Sequence, residues 1–271
     1  MPELPEVETT RRGIAPHLVG KPITGVIVRD SRLRHPVSAD IEDICGKPVT
    51  GIRRRGKYLI ADTDDGALLI HLGMSGSLRV CERTEDHRKH DHVILCLPGT
   101  REIRYHDPRR FGIVLHLPAG DPLDHPLLAS LGPEPLSDEF TTAHLKAACK
   151  GRTAPIKQVI MDAGIVVGVG NIYASEALHR AGIRPRTAAR RVSGPRLARL
   201  VAAIREVLAA SIEQGGTTLR DFVNSDGQPG YFRQRLFVYG RAEEPCRSCS
   251  TPIRHAVLGQ RATYWCPVCQ R

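Results

Sequence analysis

The stretch Tyr58-Leu-Ile-Ala-Asp-Thr-Asp-Asp-Gly-Ala-Leu-Leu-Ile-His-Leu72 decides how the first half of the chain folds. Two short apolar runs, Tyr58–Ala61 and Leu68–Leu72, flank Asp64-Asp65-Gly66, residues of the kind that build hairpin turns. Outward from this hairpin the same pattern repeats. Ile23–Val28, Val49–Arg53, Ser77–Val80, Val93–Leu97, Glu102–Tyr105 and Ile113–Leu117 are short, often β-branched, and separated by turn residues such as Pro98-Gly99. Eight strands at this spacing predict a sandwich or a barrel. One helix precedes them: Pro5 suits a first turn, Val7, Ile14 and Leu18 share a face, and Gly20 ends it.

Beyond Gly120 the pattern changes. Four prolines and two glycines between Gly120 and Pro135 mark a linker, and the second half reads as helices. Pro155–Met161 and Asn171–Arg180 are two short ones. A longer helix is capped by Ser193, carries Leu197, Leu200, Val201, Ile204, Val207, Leu208 and Ile212 on one face, and stops at Gly215-Gly216. The expected division is a β-rich domain over 1–131, a helical domain over 132–240 and a small module over 241–271. A length of 271 residues with 41% hydrophobic content accommodates these with real cores and excludes global disorder. No apolar run approaches the roughly 20 residues that cross a bilayer, so no membrane attachment is expected. No cationic and apolar leader follows Met1, which predicts a cytoplasmic protein.

Charge separates the halves as sharply as periodicity does. Residues 1–135 hold 19 Lys+Arg against 19 Asp+Glu, whereas residues 136–271 hold 20 against 10, so the second half carries the whole net charge of +10. A basic half joined to a neutral one suits a polyanion grip, and equally a solvated basic surface. Cys246, Cys249, Cys266 and Cys269 form two C-x2-C pairs sixteen residues apart, the spacing of a closed tetrahedral zinc site. With all four positions taken by thiolates, none is left for water, so the zinc is structural. Cys45, Cys81, Cys96 and Cys149 carry no spacing signal and are expected to be reduced and inert.

Three further features bear on chemistry. Gly168-Val-Gly170-Asn171 places glycines before a helix whose cap would be Asn171, either an anion site or a tight helix–helix turn. Lys157, Arg152 and Arg180 nearby favour phosphate. Five of the twelve aromatics lie between Phe222 and Tyr239 among Arg220, Arg233, Arg235 and Arg241, suited to stacking bases or to packing beneath the zinc module. At the N-terminus, Pro2 after the initiator favours removal of Met1 and exposure of a secondary amine. An α-amino group with pKa near 7.8 is roughly a tenth unprotonated at pH 7 and able to attack a carbonyl-like carbon. Glu3 is adjacent.

The opening Met-Pro-Glu-Leu-Pro-Glu-Val-Glu-Thr, then Arg55-Gly-Lys57-Tyr, His71-Leu-Gly-Met74-Ser-Gly, Lys89-His90-Asp91-His92-Val93, Asp107-Pro-Arg109-Arg-Phe111-Gly, Gly168-Val-Gly-Asn171-Ile-Tyr-Ala-Ser-Glu176 and the four-cysteine finger follow one another in order from residue 2 to residue 270. Together they resemble the bacterial formamidopyrimidine-DNA glycosylases. The resemblance implies an α+β multidomain fold: a two-layer β-sandwich with an N-terminal helix, a helix–two-turn–helix domain and a zinc β-hairpin. It implies a monomer that works on double-stranded DNA containing oxidised bases, associated with the nucleoid, with the duplex in a cleft between the halves. Pro2 would be the nucleophile, Glu3 an acid, Lys57 a proton-transfer group and Arg261 a group near the lesion phosphate. Met74, Arg109 and Phe111 would fill the space left by an extruded nucleotide. His90, Arg109 and Arg152 would contact DNA, Asn171 would hold a phosphate, and Thr217–Tyr231 would close over the base. Two rivals stand beside this reading: an endonuclease VIII-type enzyme acting on oxidised pyrimidines, and a non-enzymatic zinc-dependent DNA binder.

Overall fold

The computed structural model of the protein describes residues 2–216 and 236–271. The stretch Thr217–Tyr231 and most of the aromatic–arginine cluster, named above for base closure and stacking, lie outside the described residues. The described residues fall into two compact units, residues 2–129 with 214–216, and residues 130–213 with 236–271.

The first unit opens with α1 (Leu4–Leu18) and continues through β1 (Gly25–Val28), β2 (Gly51–Arg55), β3 (Tyr58–Thr63), β4 (Gly66–His71), β5 (Ser77–Glu82), β6 (Asp91–Cys96), β7 (Arg101–His106) and β8 (Ile113–Pro118). All eight expected strands form. They make two antiparallel sheets, in the orders β1-β6-β7-β5 and β2-β3-β4-β8. In the quoted hairpin, Tyr58 pairs with His71 and Thr63 with Gly66. Leu59, Ala61, Leu68, Ile70 and Val114 from one sheet meet Leu78, Val93, Leu95, Ile103 and Tyr105 from the other in one core. Alternation along each strand puts these residues inward, and burial of their apolar area holds the layers together. Val7, Ile14 and Leu18 join that core, so the helical face read from sequence is the buried one.

The first unit ends with α2 (Pro126–Ala129), and the second holds α3 (Thr142–Cys149), α4 (Ile156–Met161), α5 (Asn171–Arg180), α6 (Gly194–Glu213) and a hairpin of β9 (Arg254–Leu258) and β10 (Arg261–Trp265). Asn171 is not the helix cap expected from the sequence. Gly170 takes the extended N-cap conformation, and Asn171 is the first helical residue. Its side chain serves a longer-range partner described below. The cysteines outside the finger are free thiols, and burial pushes up the thiols of Cys45, Cys81, Cys96 and Cys149, as inert groups require. Among the described residues, no helix is long and apolar enough to cross a membrane.

Candidate functional site

In the first unit, the N-terminus is seated by the helix that follows it. Glu3 is the N-cap of α1. Its side chain accepts from the backbone of Glu6, while the Glu6 carboxylate accepts from Glu3 N at 2.8 Å. This capping box satisfies two orphan donors of the first turn. Pro2 and Glu3 are both buried. Gly216 closes against the same place, where a Cβ would come within 3.3 Å of the Glu6 side chain, and its φ of +83° favours glycine. Along α1, Glu8 binds Arg11 and Arg12, and Arg54 of β2 lies 3.4 Å from Glu8. That contact aligns the helix with the β2–β3 hairpin, whose turn carries Lys57.

Lys57 acts on His71 electrostatically. Burial first, then the positive charges of Lys57 and Arg34, push the His71 imidazole down to about 4. His71 Nδ1 accepts from Gly73 N at 3.0 Å, a bond that requires the ring neutral at that nitrogen.

Two loops converge at the sandwich edge around Asp107, which has no exposed surface. One carboxylate oxygen accepts from Ser75 Oγ at 2.7 Å and Arg109 N at 3.3 Å. The other accepts from Gly112 N at 2.9 Å and Tyr105 Oη at 3.3 Å. The backbones approach closely: a Cβ on Gly112 would run into Tyr105 Oη and His71 O, and one on Gly73 into Phe111 and Gly112. Between them the chain presents Met74, Arg109 and Phe111. The Arg109 guanidinium lies 4.9 Å from the Phe111 ring centroid, and Phe111 is 44% exposed, far above an ordinary buried aromatic. Asp107 N also donates to His90 O at 3.0 Å, which ties a third loop to this edge. The structure therefore brings Met74, His90, Arg109 and Phe111 together.

In the second unit, Lys157 is buried in α4 and donates to Ala262 O at 3.1 Å and Thr263 Oγ1 at 2.8 Å. Asn171 Nδ2 donates to the same carbonyl at 2.9 Å. Arg261, the residue before, is exposed at the start of β10. Arg152 is exposed beyond α3, where its carbonyl accepts from Arg190 N. Asn171 and Arg261 thus share one locus, while no bond joins Arg152 to it among the described residues.

The four finger cysteines offer sulfurs that all lie within 4.8 Å of one another, with Cys246–Cys269 at 3.9 Å and Cys249–Cys266 at 3.4 Å. A tetrahedron with Zn–S bonds of about 2.3 Å has edges of about 3.8 Å, so these residues fit one structural zinc. Two supports of the finger carry no role in the sequence reading. His179 Nε2 stands 3.7 Å from Cys246 Sγ, and Glu176 accepts from the amides of Phe237, Val238 and Tyr239 at 2.7, 2.9 and 2.9 Å. Their i, i+3 spacing on α5, which places both on one helix face, is the signal that could have found them. Burial raises the Glu176 carboxyl, against the pull of those amides.

Residues 1–114 match the formamidopyrimidine-DNA glycosylase N-terminal domain, 131–223 the formamidopyrimidine-DNA glycosylase H2TH domain, and 243–271 the zinc finger found in FPG and IleRS. A curated formamidopyrimidine-DNA glycosylase of Methylococcus capsulatus is 60% identical, with all of both chains covered. This chain belongs to that family. The MutM (Fpg) protein of Thermus thermophilus superposes with a TM-score of 0.89 at 39% identity, covering 99% of this chain and 98% of that one. The Lactococcus lactis Fpg in complex with DNA containing an abasic site gives 0.91 at 31%, covering 99% of each. As a formamidopyrimidine-DNA glycosylase, the chain is an enzyme, and its finger is the zinc module of that family.

The lowered pKa of His71 means that the unfolded chain binds a proton where the native one does not. Its contribution to stability is complete above about pH 6.5 and is lost as pH falls toward about 4. An NMR titration should find the His71 ring unprotonated at pH 5.5, and protonation near 6.5 would contradict the account. Removing one zinc ligand by Cys249→Ser should release the metal and abolish DNA binding while the sandwich stays folded, because metal binding and local folding are linked. Zinc content, anisotropy and circular dichroism check it; normal affinity in the metal-free variant would refute it.

Proposed function

We propose that this chain removes oxidised purines, 8-oxoguanine and formamidopyrimidines, from double-stranded DNA and then cuts the strand by β- and δ-elimination. The observation that carries the reading is the buried Pro2–Glu3 seat on the capping box of α1. Chain termini are ordinarily frayed, and a terminus held this way is placed for use.

With Met1 removed, Pro2 supplies a secondary amine. Its lone pair attacks C1′ of an extruded nucleotide, the C1′–N bond breaks, and the base leaves with the bonding pair and a proton. Glu3 protonates O4′ as the sugar ring opens, leaving an iminium on the Pro2 nitrogen. The iminium acidifies C2′–H. Lys57 takes that proton, the C2′=C3′ bond forms and the 3′ phosphate departs. A second elimination expels the 5′ phosphate, and water hydrolyses the imine to restore the amine. Asn171 and Arg261 hold phosphates near the lesion. Arginine is too poor an acid to deliver the proton of the second elimination, so its role is the clamp. His90, Arg109 and Arg152 contact the DNA, and Met74, Arg109 and Phe111 fill the gap in the stack, an apolar wedge beside a planar donor. The zinc shapes the hairpin and takes no part in bond making. The enzyme works as a monomer in the cytoplasm, associated with the nucleoid where its substrate lies.

Oxidised pyrimidines form a second substrate class. A solved relative, the wild-type Lactococcus lactis Fpg, is in complex with an oxidised-pyrimidine-containing DNA. Parallel cleavage of 8-oxoguanine and thymine-glycol duplexes ranks the two.

Borohydride should trap the protein covalently on 8-oxoguanine duplex, because reduction turns the iminium into a stable amine. A protein with extra residues ahead of Pro2 has an amide there and should lose trapping while binding DNA almost as well. Trapping that survives the extension but vanishes in Lys57→Ala would move the nucleophile to Lys57. Tight binding without trapping, in protein whose intact mass shows Met1 removed, would favour a non-enzymatic binder. Arg109→Ala should flatten the rate differences among 8-oxoguanine paired with C, T, G and A, since a bidentate base contact discriminates by about 1–3 kcal/mol. Single-turnover rates on the four duplexes decide it, and an unchanged spread would exclude this role.

A further inference from the structure

The outward face of the β1-β6-β7-β5 sheet holds a group of buried charges that the chemistry above does not use. Arg79 of β5 and Arg104 of β7 sit directly opposite each other, 5% and 1% exposed. Two like charges paired across strands repel, and burial removes the water that would screen them. Asp91 and Glu102, also buried, offset the charge. Arg79 Nη2 donates to Asp91 Oδ1 at 2.8 Å, and Arg104 Nε donates to Glu102 Oε1 at 2.5 Å. Burial alone would raise the Asp91 carboxyl, but hydrogen bonds from His106, the Arg88 amide and Arg79 hold it well below the usual range. Apolar residues of similar volume commonly replace such buried networks at no loss of stability, so stability is a poor reason for this one.

The network's other partners give the reason. Arg104 Nη1 donates to Asp86 O at 2.9 Å, and Nη2 donates to Glu82 O at 3.1 Å and Glu85 O at 2.6 Å. Asp91 Oδ2 accepts from Arg88 N at 2.9 Å, and His87 Nε2 meets Glu102 Oε1 at 3.1 Å. Every one of these bonds ends on the β5–β6 connection, Arg-Thr-Glu-Asp-His-Arg-Lys-His over residues 83–90, or on its roots. A connection so charged has no apolar residue with which to pack itself down. One guanidinium, with four of its five N–H donors engaged, fixes the first half of its path, and Arg29 Nη1, donating to Arg88 O at 2.9 Å, joins Asp91 in holding the second. The path delivers Lys89, exposed, and His90, whose ring stands edge-on to His92 and His106 at 5.8 and 5.9 Å.

We propose that Arg104 is a positioning residue for DNA binding: through the 83–90 connection it sets Lys89 and His90 against a backbone phosphate, without touching DNA itself. The proposal rests on the DNA-cleaving reading above and extends it to a residue outside the reacting centre.

The test is the salt dependence of binding to a duplex carrying a tetrahydrofuran abasic analogue, followed by anisotropy. Arg104→Met should weaken binding about tenfold at 0.1 M salt, the loss of one or two charged hydrogen bonds. The slope of log K against log salt should shrink by about 0.9 for each phosphate that the protein no longer neutralises. In a Lys89→Ala/His90→Ala background the same substitution should add less than about twofold, because the groups it positions are gone. Thermal melts report folding. Arg104→Lys keeps the charge but cannot span the four acceptors, so it should behave like Arg104→Met and replaces it if that variant does not fold. An unchanged salt slope, or an undiminished effect in the double background, overturns the proposal. These are binding measurements, so absence of borohydride trapping in the wild type would refute the cleavage reading while leaving this coupling to stand or fall separately.

Discussion

Asp107 has no exposed surface, yet both its carboxylate oxygens are occupied, by Ser75, Tyr105 and the amides of Arg109 and Gly112. Those four donors belong to the β4–β5 and β7–β8 connections and to β7, and a third connection is tied in through the Asp107 amide and His90 O. A buried carboxylate costs several kcal/mol unless its lone pairs are filled, so these segments are committed to one another. Remove that constraint and Met74, Arg109 and Phe111 lose their common support. The left-handed φ of +57° at Arg110, unusual outside glycine, fits the same picture. The turn is held in a conformation it would not choose alone.

The device recurs in both units. Glu3 and Glu6 order the first turn of α1, and Glu176 gathers three consecutive amides where the chain enters the zinc module. In each case a carboxylate accepts backbone N–H groups, a pairing stronger than that between neutral partners. Such a bond fixes main chain rather than a flexible side-chain tip. That suits an enzyme in which the groups proposed for its chemistry sit at a chain end, on connections or at the edges of elements.

The zinc module follows from a different economy. The two-stranded β9–β10 hairpin has a small core, Val238, Ile253 and two of the cysteines, and hairpins of that size are marginal alone. Four thiolates and the docking of Ala262 onto Lys157 and Asn171 supply the rest. Arg261 then occupies a defined place beside that docking point rather than the tip of a loose loop.

Much of this is legible in the chain itself. The short apolar runs flanking Asp64-Asp65-Gly66, the apolar face of α1 and the cysteine spacing are local signals, each set by steric or ligand geometry within a few residues, and all three reappear in the fold. Motif order carries the family, and the roles proposed for Pro2, Glu3 and Lys57 rest on it. Two features are out of its reach. Asn171 reads as a cap because caps are local, whereas its amide serves Ala262, ninety-one residues away. Arg104 and Asp91 read as ordinary strand and loop charges. Only the pairing of β5, β6 and β7 puts them on one buried face, where the loss of water turns scattered charges into a network with a single arrangement.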